Sequence, residues 1–259
     1  MNVTIINDCR DANALGRQTT RTEALLNCAI TFIGVANDLE AAGNIIDIVD
    51  ALDENEGIIL VNVAPRNGKA KKWHNGTPFG YFRYKNILVL ASVDGYTLSL
   101  VKKFGLIDHI NVLEIPQTLE QLIKAGALRE ELRDQITRTQ FRSYDYLPRV
   151  AAYLATGKEL EGERLDINDI ADVPNTVWWI DNFGNCKTTL IHEDIKQAES
   201  IDLSGVHVPY YSRLKDVPDR EMGIISGSSG IDNRRFLEIV VQGRSAHDAL
   251  GLVVGDKIL

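Results

Sequence analysis

The sequence is short of cysteine. Its three, Cys9, Cys28 and Cys186, lie far apart in 259 residues. They are too few and too scattered for a disulfide framework or a zinc site, and they predict reduced thiols in a cytoplasmic protein. Positive charge is also in deficit: 28 Lys and Arg face 36 Asp and Glu, a formal net charge of -8. An acidic chain does not suit non-specific binding to nucleic acid or to an anionic membrane, so neither partner is expected. No apolar run approaches the roughly 18 residues of a membrane helix. The opening residues, Met1 to Asp8, hold no basic stretch followed by a long apolar one, and no secretory signal is expected. The histidines (His74, His109, His192, His207, His247) show no ligand spacing, so no metal is expected. There is no Gly-x-Ser-x-Gly elbow, no P-loop and no Cys/His nucleophile pattern. What the chain does hold is core-forming. It is 44% hydrophobic, too apolar for disorder and sufficient for one large domain or two modest ones.

The first 160 residues alternate in pattern. Val3–Ile6, Ala29–Val35, Gly57–Ala64, Asn86–Ala91 and His109–Ile115 read as apolar strands. Between them lie helical spacings: one after an N-cap at Asp38, a short one over Tyr96–Phe104 closed by Gly105, one from Thr118 to about Ile136, and one over Tyr144–Thr156 ended by Gly157. Buried strands interleaved with helices predict an α/β domain with a mixed sheet flanked by helices, over residues 1–160. Residues 161–175 are polar and read as a linker. From Thr176 onward the pattern is mainly strands between Gly and polar turns. That predicts a small all-β, barrel-like domain over 176–259.

Several segments are candidates for chemistry. Asp181-Asn182-Phe183-Gly184-Asn185 is a tight turn between two strands. It is read either as a plain hairpin turn or as a turn presenting Asp181 and Asn185 to a ligand, since an amide can donate and accept along a purine edge. Ser226-Gly227-Ser228-Ser229-Gly230 is a small-residue loop of the kind that admits a ligand to backbone N–H groups. Asn7-Asp8-Cys9-Arg10-Asp11 follows the first strand, where α/β sheets bind ligands, and an N-cap is the alternative. Ala64-Pro65-Arg66-Asn67-Gly68 follows another strand. Phe141-Arg142-Ser143-Tyr144-Asp145 reads as a helix start, with Ser143 as a candidate cap.

Taken in order, these segments resemble the S-adenosyl-L-methionine (SAM) hydroxide adenosyltransferases, relatives of the fluorinase and chlorinase. Ile180-Asp181-Asn182-Phe183-Gly184-Asn185 matches that family's Ile-Asp-x-Phe-Gly-Asn. Gly227-Ser228-Ser229-Gly230, Leu237-Glu238-Ile239-Val240-Val241, Gly243-Arg244-Ser245-Ala246 and Leu250-Gly251-Leu252-Val253-Val254-Gly255-Asp256 match its C-terminal motifs. Val93-Asp94-Gly95 stands for Asp-Asn-Gly, and Phe141-Arg142-Ser143-Tyr144-Asp145 for Phe-His-Gly-Arg-Asp. The resemblance implies an α/β domain followed by a small β-barrel. It also implies a homotrimer with the ligand at the subunit interface, SAM as substrate, and no cofactor. Carried over by position, Asp8 binds the ribose hydroxyls, Asp11 stands for a second N-terminal acid, Phe141 lines the sugar pocket, and Asn67 is a further substrate-binding candidate. Asn185 reads the adenine edge, backbone around Val241–Gly243 completes the adenine pocket, and Phe183 is a further substrate-binding candidate. Asp181, Ser228 and Ser229 hold the methionine amino and carboxylate groups.

The implied reaction is attack of water at the ribose C5′, giving adenosine and L-methionine. Hydrolytic members surround that water with Asp, Arg and His; the corresponding residues here are Ala64, Lys71 and Arg142. Lys71, Arg142 and Ser143 are therefore the candidate catalytic residues. Ser143 stands where the fluorinase carries a Ser near its halide, but the long fluorinase loop is absent after Gly68. A protein that keeps the adenosyl pocket and has lost turnover is the alternative.

Overall fold

The computed structural model describes residues 1–64, 77–195, 200–203 and 205–258. The chain divides into two compact units, Met1–Asp172 and Val173–Leu259. The first is an α/β unit with a mixed sheet and flanking helices. The second is a curled all-β sheet, a half-barrel.

The first unit is built on β1 (Asn2–Asn7), β2 (Ala29–Gly34), β3 (Gly57–Asn62), β4 (Phe79–Tyr84), β5 (Ile87–Ser92), β6 (His109–Leu113) and β7 (Glu163–Asp166). Their order across the sheet is β2-β1-β3-β5-β4-β6-β7. β2, β1, β3 and β5 run parallel, while β4, β6 and β7 join antiparallel. β3 and β5 are near-continuous apolar runs because helices cover both faces of a parallel sheet. One face, carrying Ile58, Leu60, Leu88 and Leu90, packs on Leu119 and Leu122 of α4 (Ile115–Lys124) and on Leu147, Val150 and Leu154 of α7 (Leu147–Leu154). Helix α2 (Asp38–Ala51) buries Ile45, Ile46 and Val49, and α3 (Ser99–Phe104) buries Leu100 and Val101.

Several elements differ from the sequence reading. Helix α1 (Ala12–Leu26) enters the sequence reading only through the alternative of an N-cap at Asp11; its buried positions are Ala14, Gln18 and Thr22, so its stripe carries almost no apolar signal. The cap of α2 is Asn37, whose side chain accepts from the Glu40 N–H, not Asp38. The helix expected from Thr118 to Ile136 breaks at Gly126, which takes φ +69, and resumes as α5 (Arg133–Arg138). The helix expected from Tyr144 is a single turn, α6 (Arg142–Asp145), followed by α7, which has Pro148 in its first turn. Ser143 lies inside α6 and caps nothing. Residues 161–175, read as a linker, hold β7, which pairs with β6. Lys102 there donates to the Ile170 carbonyl at 2.7 Å and pairs with Asp172 at 2.8 Å.

The second unit orders its strands β10-β11-β12-β13-β9-β8, from β8 (Val177–Ile180), β9 (Cys186–Ile191), β10 (Ser200–Leu203), β11 (Val206–Tyr211), β12 (Met222–Ile231) and β13 (Arg234–Val241). All neighbours are antiparallel except β11 and β12. Val177, Cys186, Leu190, Val208, Ile224, Leu237 and Ile239 form its core with Ala246 of the short helix α8 (Ala246–Leu250).

Candidate functional site

In the first unit the topology itself marks a position. From β1 the chain passes to β2 on one side and then to β3 on the other. Ligands of open α/β sheets bind outside the carboxyl ends of strands at such a reversal. The residues there are Asp8 after β1 and Ala64 after β3. They touch: Ala64 N–H donates to Asp8 Oδ2 at 3.1 Å. Fully buried Asn7 fixes this corner, donating to Gln18 Oε1 at 2.6 Å and accepting the Cys9 N–H at 2.8 Å. Asp11, expected at the ligand, caps α1 by accepting the N–H groups of Asn13 and Ala14. The alternative reading of that acid, as an N-cap, is what its hydrogen bonds describe.

A run of hydrogen bonds continues along the same sheet edge. Val63 N–H donates to Ser92 Oγ at 3.3 Å, which fastens the end of β3 to the end of β5. Val93 N–H donates to the Pro78 carbonyl at 3.1 Å, and Arg142 Nη1 donates to the Thr77 carbonyl at 3.1 Å. Helix α6 also packs on β3. Asp8, Ala64 and Arg142, which are far apart in sequence, are thus linked through one sheet edge. Arg142 is half-buried, and desolvation pulls its guanidinium below the ordinary value. Ser143 is buried beside it. Phe141 is 44% exposed, and the Arg17 guanidinium lies 5.1 Å over its ring. Asn67 and Lys71 lie outside the described residues.

The second unit builds its own site around one turn. Gly184 takes φ +82, and a Cβ there would meet Ser245 Oγ at 2.1 Å, so only glycine fits. Asp181 Oδ1 accepts the N–H groups of Phe183 (2.8 Å) and Asn185 (2.9 Å), and its Oδ2 accepts from Asn185 Nδ2 (2.9 Å). These bonds describe the plain-turn reading: the acid caps the hairpin, and in doing so it fixes the Asn185 amide. His247 N–H donates to the Gly184 carbonyl, and Ser245 Oγ caps α8 by accepting the Asp248 N–H.

Beside the turn is a groove of about 420 Å³, lined by Phe183, Asn185, Leu214, Val241, Gln242, Gly243, Arg244 and Ser245. That volume suits a small ligand. Phe183 is 72% exposed and Leu214 41%, so the walls are apolar and open, while amides and one guanidinium edge them. Four sequence candidates meet here: Phe183, Asn185, Val241 and Gly243. Gln242 lies within the Val241–Gly243 stretch already expected here, while Leu214, Arg244 and Ser245 were missed as ligand candidates. Only tertiary structure brings Leu214 in, since its segment carries no ligand-binding pattern.

Ser228 and Ser229 do not line this groove. Ser229 is buried, and its Oγ accepts from Lys187 Nζ. The Ser228 carbonyl accepts from Arg235 Nη1 at 3.1 Å. Among the described residues no group of three or more His, Cys, Asp and Glu is placed to hold a metal ion.

Residues 175–259 match the family model described as the SAM hydroxide adenosyltransferase C-terminal domain. The C-terminal unit is similar to that domain along nearly its whole length. The resemblance read from the sequence is borne out there, and it ties this unit to SAM-related, adenosyl-directed chemistry. No curated protein sequence matches the chain. Among solved structures, an uncharacterized conserved protein from Thermotoga maritima is similar with a TM-score of 0.66 and 17% identity, over 98% of this chain and 97% of that one. A conserved hypothetical protein from Thermus thermophilus is similar with a TM-score of 0.53 and 20% identity, over 100% and 99% of the two chains. These likenesses are of fold, along the whole length. No helix among the described residues is long and apolar enough to cross a membrane.

Proposed function

We propose that the protein binds SAM and hydrolyses it at the ribose C5′ to adenosine and L-methionine. The observation that carries this reading is the groove beside the Asp181–Asn185 turn, in a domain of the SAM hydroxide adenosyltransferase type. Phe183 and Leu214 offer apolar faces to a flat purine. With one Asn185 N–H held by Asp181, the rest of that amide is aimed at the purine edge. Asp181 then acts as a positioning residue, because both its oxygens already serve the turn. Asp8, at the reversal point of the first sheet, accepts from the ribose hydroxyls. Ser228 and Ser229 serve the amino-acid end of the ligand.

The chemistry asks little of the protein in acid catalysis. The leaving group is a sulfonium and departs as a neutral thioether, so nothing has to protonate it. The protein's task is to align a water with C5′ and to shield the reacting atoms. Arg142, with Lys71, supplies positive charge beside that water and lowers its pKa. The reaction needs no cofactor. The assembly in this reading is a homotrimer with the ligand at the subunit interface.

A second reading is favoured by Ala64, which offers only its N–H where a carboxylate would take a proton. In that reading the protein binds an adenosyl ligand and does not turn it over. Incubation with SAM followed by chromatography separates the two. Adenosine and methionine in equal amounts support hydrolysis. Tight binding without product supports the second reading. A halogenated adenosine in the presence of halide would contradict both.

A further inference from the structure

We infer that Asp94 is the carboxylate that accepts the proton of the attacking water. The assignment rests on the hydrolytic reading above and supplies what Ala64 lacks. Asp94 lies two residues past β5, beside the end of β3, which Val63 N–H and Ser92 Oγ fasten together. Its neighbour Val93 is bonded to Pro78, and the adjoining Thr77 carbonyl accepts from Arg142. Asp94 therefore occupies the stretch of sheet edge between Ala64 and Arg142.

Like Asp94, the other acids named along this edge each accept a backbone N–H, and what sets Asp94 apart is its second oxygen. Asp8 takes the Ala64 N–H, Asp11 caps α1, Asp38 takes the Tyr96 N–H at 2.8 Å, and Glu40 takes the Ala36 N–H at 2.7 Å. Asp94 Oδ1 accepts the Gly95 N–H at 2.9 Å, which sets the carboxylate plane. Its Oδ2 is enclosed and has no hydrogen-bond partner among the described residues. A buried carboxylate oxygen without a donor is costly, and in a native fold such an atom marks strain, catalysis or a bound donor. Ligand entry has to open this oxygen to the attacking water, which then finds an acceptor with no competing donor.

The step balances without a further reactant. The water oxygen bonds to C5′ as the C5′–S bond breaks. That bonding pair goes to sulfur, turning the sulfonium into the thioether of methionine. The water's proton passes to Asp94 Oδ2, and the 5′-hydroxyl of adenosine remains.

The test compares wild type with Asp94→Asn, which keeps the size of the side chain and an oxygen for the Gly95 N–H. SAM affinity is read by calorimetry and adenosine release by chromatography. Affinity unchanged with turnover down about a hundredfold or more, the range of a lost general base, is the expected result. Turnover within a few-fold of wild type would overturn the assignment and leave hydrolysis standing. Loss of binding would make Asp94 a ligand-holding group and also overturn it. Wild type that binds SAM and releases no adenosine would remove the hydrolytic reading and this assignment with it. If Asp94→Asn does not fold, Asp94→Glu decides. Weakened but measurable turnover with KM little changed supports the carboxylate, and wild-type turnover from the displaced acid overturns it.

Discussion

In the proposed reading Asn185 meets the purine edge, and an asparagine in that role has to be kept from rotating. Asp181 does this for Asn185 by gripping its N–H, its side-chain amide and the Phe183 N–H together. Asn185→Ala is expected to lower SAM affinity by about tenfold or more with the fold intact, the cost of one or two buried hydrogen bonds. Asp181→Ala should lower both affinity and melting temperature, because it releases the turn as well as the amide. Calorimetry and thermal melts on the two variants check the distinction; an Asp181→Ala protein that melts like wild type would contradict it. A second residue gives a pH signature. Burial raises the Glu40 carboxyl, with the Ala36 N–H and Arg10 opposing the rise. A carboxyl raised by folding favours the fold fully at acid pH and loses that contribution as pH climbs through its raised value. Glu40→Gln removes the loss. Its melting temperature relative to wild type should therefore rise as pH climbs above about 4, the ordinary range of a glutamate, and a flat difference would contradict the assignment. Residue types and spacing made Asp8, Asn185 and Gly184 legible in advance. They left open whether Asp11 serves a ligand or a helix cap, and they did not reveal that Asp94 keeps an oxygen without a partner among the described residues. Those facts depend on which N–H groups the fold brings near each acid.

At the level of elements, the groove depends on close packing between the Asp181–Asn185 turn and the start of α8. Gly184→Ala would press a methyl group into Ser245 and strain a positive φ. A loss of about 2–4 kcal/mol is expected on thermal or urea melting, with SAM affinity falling as α8 moves. Asp11→Ala should instead cost about 1 kcal/mol, the usual worth of an N-cap, and leave affinity nearly unchanged. A large affinity loss would restore Asp11 to the ligand. Elements with a strong apolar period, such as β3, β5 and α2, were readable from sequence. Helix α1 was not, because it buries Gln18 and Thr22 where a pattern reader looks for leucine. Strand β4, Phe79-Gly-Tyr-Phe-Arg-Tyr, has no clean alternation, since its first four residues are all buried. Gly126 and Pro148 split two helical spacings that side-chain periodicity alone runs together.

Across the whole molecule, a sheet edge bearing acids and Arg142 is joined in one chain to a half-barrel bearing an apolar groove. The division into an α/β part and a β part was visible in the change of pattern after Gly157. The arrangement of strands was not, because β11 and β12 pair parallel and β4 inserts between β5 and β6. In the proposed assembly the protein runs in light scattering at about the mass of three chains, and a monomer at micromolar concentration would contradict the homotrimer. The central claim is that water from solvent attacks C5′ of SAM. Incubation in heavy-oxygen water followed by mass spectrometry of the products tests it most directly. The account predicts adenosine carrying the heavy oxygen at its 5′ position, with unlabelled methionine. Unlabelled adenosine, or no adenosine from protein shown to bind SAM, would contradict it.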